Sequence, residues 1–410
     1  MADDIPQLTV RAHEGSRLWT LRAPAGTMFG PVVAGGSVHV PLAEGRIVAL
    51  DAHSGGLLWC SRPLTDPDPQ ALARADGAVV VPVRRDAERC GFTALDPASG
   101  EVLWERRKSP LVRLAAAGPT VVLWGEAGED RGRIAGVDAR TGETLWEDEF
   151  SRIWDLLVCG PRVVLDVGDL RALDARTGEE LWTQESAGFG ALLRPEAPSD
   201  SVVFHCWSSH AVLSVRATGT GEEISRTRFP RRTVERLTYD PALVDGERAL
   251  FSAPLKRRIR LYAYAGRDRA EPLASPSLGW WRFTSLSERA VCAGDRLYAL
   301  TWRRRLYQAG TNGTNGGRHL MQPVGLTAPD GRTLREPSVL AAGPEHAFVG
   351  GDGAVAGVRD GEVRWVVPTN LWRGTPVPLG TDRVLFRSVT EDGRWAGLHC
   401  ADADTGRRHH

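Results

Sequence analysis

The chain has almost no lysine. Lys108 and Lys256 are the only two among 410 residues, against 49 arginines. Schiff-base chemistry is therefore confined to two positions, both in arginine-rich surroundings. The bias is most simply genomic, as expected of a high-GC actinobacterium. Asparagine is nearly as scarce, at Asn312, Asn315 and Asn370. The six cysteines, Cys60, Cys90, Cys159, Cys206, Cys292 and Cys400, are scattered and form no C-x-x-C pair. That spacing gives zinc no site, and it reads as free thiols in a reducing compartment. No run of ~18 apolar residues is present, so no membrane-spanning helix is expected. The opening residues, Met1–Gln7, lack the basic and apolar regions of an export signal, which makes the cytoplasm the expected location. Phosphate loops, nucleophile elbows and H-E-x-x-H are absent. A formal net charge of zero argues against nucleic-acid binding.

What the chain does have is one phrase, repeated. It reads Ala-Leu-Asp-Ala-His-Ser-Gly-Gly-Leu-Leu-Trp at Ala49–Trp59 and Ala-Leu-Asp-Pro-Ala-Ser-Gly-Glu-Val-Leu-Trp at Ala94–Trp104, and it returns at Gly136–Trp146 and Ala172–Trp182. Successive tryptophans are 45, 42 and 36 residues apart. Each unit contains short β-branched runs separated by Asp-Gly and Asp-x-x-Ser/Thr-Gly turns, which predicts four antiparallel strands. Four strands in ~40–50 residues is one propeller blade, and such units must stack to bury their faces. The expected fold is one all-β propeller domain over residues 1–410. Copies end near Trp59, Trp104, Trp146, Trp182, Ile224, Pro272, Leu320 and Trp365. A ninth lacks its Leu-Trp strand at the C-terminus, and Leu8–Trp19 supplies a copy. The ring is therefore expected to close by pairing N- and C-terminal strands. One copy is redundant, so eight or nine blades are allowed, with the repeat count favouring nine.

Function is harder to read than fold. The segments that enter the innermost strands carry Arg113, Trp154-Asp155, Tyr239-Asp240, Trp281-Arg282, Glu336 and Trp372-Arg373. Aromatics beside charges can hold a flat or anionic group by stacking and bidentate hydrogen bonds. The same tryptophans could equally pack between blades. One column of second-strand residues is apolar in most units but Asp166, His205 and Arg387 in three. Asp155, Asp166, His205, Tyr239 and Asp240 are thus the weak candidates for acid–base catalysis. His205 and Cys206 are strand neighbours pointing to opposite faces, so no metal site is expected. Between Arg226 and Arg305 there are 18 basic and 8 acidic residues, a basic sector suited to an anionic ligand or acidic protein surface.

The repeated Asp-x-x-Thr/Ser-Gly-x-x-Leu-Trp resembles the tryptophan-docking repeat of the pyrroloquinoline-quinone-type propellers. That family includes quinoprotein alcohol dehydrogenases, the outer-membrane-assembly lipoprotein propeller and kinase-linked sensor propellers. For the dehydrogenases the resemblance would imply a vicinal Cys-Cys disulfide and calcium held by carboxylate and Asn side chains. This chain has no adjacent cysteines and few asparagines. The expectation is a cofactor-free, monomeric binding or scaffold propeller, holding a protein partner or small anionic ligand at the channel mouth or on the basic sector. The alternative is a cofactor-independent lyase or cyclase of actinobacterial secondary metabolism, with an aromatic-lined funnel.

Overall fold

In the computed structural model, the described residues are 9–12, 18–24, 30–64, 72–84, 90–107, 111–126, 131–185, 190–193, 202–207, 212–228, 244–245, 248–255, 258–265, 270–274, 290–300, 304–310, 322–371 and 375–408. Among them every regular element is a β-strand. The strands form nine antiparallel sheets of propeller-blade type. Eight have four strands in chain order, spanning 32–60, 73–106, 113–150, 155–184, 190–228, 244–274, 290–323 and 335–368. The ninth joins the two ends of the chain. Contacts gather into two compact units, one of Met1–Pro63, Ala98–Gly100 and Glu288–His410, the other of Leu64–Pro97 and Glu101–Ser287.

The repeated phrase is a physical device. In the turn after the third strand, Asp138 Oδ1 accepts from the N–H groups of Arg140 (3.0 Å) and Thr141 (2.9 Å) and from Thr141 Oγ1 (3.2 Å). Gly142 takes a positive φ of 76° and donates its N–H to the Asp138 carbonyl. The tryptophan of the preceding sheet lies flat on this turn. Trp104 Nε1 donates to Ala139 O at 2.9 Å, and a Cβ on Gly142 would collide with its ring. The pattern recurs with Trp146 on Ala175 O (2.9 Å) and Trp182 on Thr218 O (2.8 Å), and in the other unit with Trp365 on Ala403 O (2.7 Å). Each contact satisfies the one donor of a largely buried indole and ties a sheet to its neighbour.

Between the sheets lie continuous apolar clusters. In the second unit, Val121, Leu123 and Val137 pack with Val80 and Phe92, while Trp124 and Ile134 pack with Leu156, Val163 and Leu165. The first strands of successive sheets lie against one another there, which makes them the inner strands. In the first unit, Phe348, Trp365 and Val367 pack with Val384, Phe386 and Ala401.

The ninth sheet resolves the redundant copy. Its order is Thr9–Ala12, Trp19–Pro24, Trp395–Asp402, Arg383–Val389, Val377–Leu379. Trp19 pairs with Cys400, and Arg408 bridges the next residue, Ala401. In a continuous sheet the same two positions are Ala172 opposite Trp182 and Leu173 opposite Glu180. The fourth strand is therefore composite, Arg408 supplying its start and Trp19 its docking residue. Trp19 is fully buried, donates to Ala52 O at 3.4 Å and sits on the Asp51–Gly55 turn. Arg383 Nη1 reaches the same carbonyl at 2.7 Å. Thr9–Ala12 is the surplus copy and pairs on the outer edge of Trp19–Pro24 as a fifth strand.

Where the phrase fades, other groups replace it. In sheet 190–228, Ser225 holds the position of the tryptophan, and Ala217 that of the turn aspartate. The buried Arg216 there bonds Gly221 O (2.8 Å) and Glu223 Oε2 (3.0 Å). In sheet 335–368 the turn shrinks to Asp360-Gly361, and the N–H of Gly361 donates to the hydroxyl of Tyr298, 2.9 Å away in the preceding sheet.

Two predictions follow from this architecture. Trp19→Ala and Trp104→Ala should each cost about 3–5 kcal/mol in urea denaturation, as large-to-small core changes do. Removing residues 1–12 should cost less, because the docking residue stays. The carboxyls of Asp51 and Asp138 are held below the ordinary range, above all by the N–H groups of Ser54 and Thr141. A depressed folded value contributes stability above the unfolded value of about 3.9, lost as pH falls through the folded one. Melting temperature should therefore drop below about pH 4, and Asp138→Asn should flatten that limb.

Candidate functional site

The relevant face of each sheet is the end where the first strand begins and the second strand stops. In the second unit, Ser151–Trp154 leads into the strand Asp155–Cys159. The N–H of Trp154 donates to Asp166 O at 2.8 Å, so the sheet extends one residue beyond the strand. Ile153 turns inward onto the core, close enough to Gly132 that a Cβ there would collide with it. Alternation then sends Arg152 and Trp154 to the other side. The guanidinium carbon of Arg152 stands 4.1 Å from the centroid of the Trp154 ring. The indole is 37% exposed. The segment entering the neighbouring sheet is built alike. Val112 donates its N–H to Trp124 O at 3.1 Å, its side chain is 42% exposed, and Arg113 beside it is exposed and pairs across the strand with Trp124.

Among the described residues six large apolar side chains stand exposed, and they fall into two groups. Leu57, Leu58, Leu145 and Leu181 lie on fourth strands next to the docking tryptophans. Val112 and Trp154 alone lie on the inner-strand face, each beside an arginine. An exposed indole with a guanidinium stacked on it suits an apolar side chain flanked by a carboxylate.

Asp155 and Asp166 face each other across the first two strands. Asp155 accepts from Leu156 N (2.8 Å) at one oxygen and from Leu192 N (2.9 Å), in the next sheet, at the other. Asp166 is fully buried and accepts from Gly168 N at 3.1 Å. Both carboxylates hold main chain in place, a positioning role. His205 pairs with Leu192, so the backbone brings it to the residue that Asp155 holds; its side chain lies outside the described residues. Tyr239, Asp240, Trp281, Arg282, Trp372 and Arg373 also lie outside them. Of the basic sector, Arg231, Arg232, Lys256, Arg257 and Arg303 also lie outside them. No group of three or more His, Cys, Asp or Glu among the described residues is arranged to hold a metal ion.

Glu336, in the first unit, forms an ion pair with Arg304 across two neighbouring sheets. Both have left-handed backbones, with φ of 44° and 57°. Each such residue costs about 1–2 kcal/mol, and an exposed ion pair returns about 0–1 kcal/mol. The pair does not by itself explain the conformations that hold it. Arg387 is half-buried, and burial pushes its guanidinium down from the usual value.

Sequence reading missed Arg152, Val112 and Arg304. Arg152 was legible: in an extended segment, residues two apart share a side, and Trp154 had been singled out. The left-handed backbone at Arg304 leaves no trace in residue type.

With this geometry in hand, comparison with known proteins gives the following. The profile of the family described as outer membrane protein assembly factor BamB matches residues 8–153. That span contains the repeated phrase at Ala49–Trp59, Ala94–Trp104 and Gly136–Trp146, so over those residues the chain is similar to this repeat family. No curated protein matches the chain. Among solved structures, BamB from Moraxella catarrhalis is 13% identical with a TM-score of 0.49, the match covering 98% of this chain and 99% of that one. A quinohemoprotein alcohol dehydrogenase from Pseudomonas putida is 13% identical, TM-score 0.49, covering 95% and 77%. A europium-containing methanol dehydrogenase is 14% identical, TM-score 0.46, covering 93% and 85%.

Asp155→Ala leaves the buried N–H of Leu192 without its acceptor and should destabilise the fold by about 1–3 kcal/mol in urea denaturation. A change within error would show that the inter-sheet bond carries no stability.

Proposed function

We propose that this protein is a non-catalytic, partner-binding propeller that holds a segment of another protein on the inner-strand face, through Trp154, Arg152, Val112 and Arg113. The observation that carries this reading is the exposed indole under a guanidinium 4.1 Å away; the segment entering the neighbouring sheet also exposes an apolar side chain, Val112. Large aromatics and arginines are the residues most enriched at interface hot spots, and most large apolar side chains of a monomer are covered. The family matched by residues 8–153 is described as an assembly factor, which supports a role in holding partners. Two of the candidate catalytic carboxylates, Asp155 and Asp166, are engaged by main-chain donors, which favours binding over acid–base chemistry.

A reducing compartment fits this reading. Cys159 and Cys400 are buried and in no disulfide, and burial pushes the Cys400 thiol up to about 11, which keeps it protonated.

A photo-crosslinking residue placed at Trp154, in cells of the organism of origin, should capture one defined protein. The same residue at Arg140, on the opposite end of its sheet, should not capture it. Arg152→Ala should weaken capture by about tenfold, a loss of about 1.4 kcal/mol, without lowering the melting temperature. Equal capture from both positions would overturn the proposal.

A further inference from the structure

Twenty-three described residues have a left-handed backbone, and nineteen of them are glycines. Two of the other four are Asp360 and Asn370, residue types that tolerate this region. The remaining two are Arg304 and Glu336, long charged side chains for which the region is unfavourable. These two are paired with each other. Arg304 lies in the connection between Arg296–Leu300 and Leu306–Gly310, and Glu336 is the second residue of Arg335–Ala342, where the register with its partner strand shifts. A turn and a bulge are the places where this chain elsewhere puts glycine, as at Gly168 between the second and third strands of its sheet. Here the sequence puts a guanidinium and a carboxylate instead, on the inner-strand face. Their side chains remain 42% and 58% exposed, so the pair is open to solutes. Strain retained at one place without a stability return marks a functional position.

We propose that Arg304 is the anchor of a binding site for a carboxylate-bearing small molecule, and that Glu336 occupies it when the ligand is absent. The carboxylate of Glu336 already shows what the guanidinium takes, a carboxylate oxygen held by Nη1, and a guanidinium fork can hold both oxygens of an incoming carboxylate. An incoming carboxylate takes that place, and Glu336 swings to solvent. The surroundings favour an anion once Glu336 leaves. Arg305 follows Arg304 directly, and Arg335 precedes Glu336, both exposed. Asp352, which pairs with Arg335 across the strand, is the acidic group on that side. The site belongs to the first compact unit and uses no residue of the partner surface, so it stands apart from the reading above.

The probe is succinate, titrated calorimetrically into the full chain at low ionic strength, with inorganic phosphate as the second probe. Succinate should bind the natural protein. Glu336→Gln should tighten it roughly tenfold by removing the resident competitor. Arg304→Gln should abolish it. Arg304→Gly and Glu336→Gly should both raise the melting temperature, since glycine relieves the backbone, and only the second should still bind succinate. Binding of phosphate in preference to succinate would overturn the carboxylate class. Absence of succinate binding in both the natural protein and Glu336→Gln would overturn the site.

Discussion

One hydrogen bond recurs through the molecule and the rest is arranged around it. An indole N–H reaches a main-chain carbonyl in the turn of the next sheet, at 2.7–2.9 Å for Trp104, Trp146, Trp182 and Trp365. The indole can lie flat because a glycine sits beneath it, and the carbonyl is presented because an aspartate holds the turn, or, beneath Trp182, the buried Arg216. A sheet with two apolar faces has no stable existence alone. The docking bond sets the offset at which neighbours meet, and the valine and leucine clusters between sheets fill in behind it.

This dependence explains which parts of the molecule could be read from residues. The turn, the tryptophan and the alternating strands use residue types chosen by local physics, so sheets 32–60 to 155–184 and the strand placements were legible. The two ends were legible as a pairing, but not in their order. Thr9–Ala12 and the residues before the Asp402 turn have the same character, and only register assigns one to the sheet interior and the other to its edge. From Glu222 onward the phrase fades: the buried Arg216 holds its turn through Gly221, and Tyr298 ties Gly361 in the next sheet, chemistry that leaves no repeating pattern.

The candidate site was legible in part. Trp154, Arg113 and Glu336 lie on the inner-strand face where their position in the repeat put them. The acid–base candidacy of Asp155 and Asp166 rested on residue type and position in the repeat. Main-chain N–H groups hold both carboxylates, and side-chain identity carries no record of those. The contrast between Asp155 and Trp154 is instructive. Adjacent residues on one extended segment point to opposite sides, so Asp155 holds the main chain of the neighbouring sheet while Trp154 stands partly exposed beneath Arg152.

The composite strand has a consequence for how the gene could be cut. Arg408 and Trp19 occupy successive register positions opposite Ala401 and Cys400. Elsewhere those positions belong to residues two apart, such as Glu180 and Trp182. A peptide bond from Arg408 to Leu18 would therefore supply the single residue required and reproduce the ordinary fourth strand. The same blades could then be encoded as a circular permutant, opened at any other loop, with the indole of Trp19 still seated on the Asp51 turn.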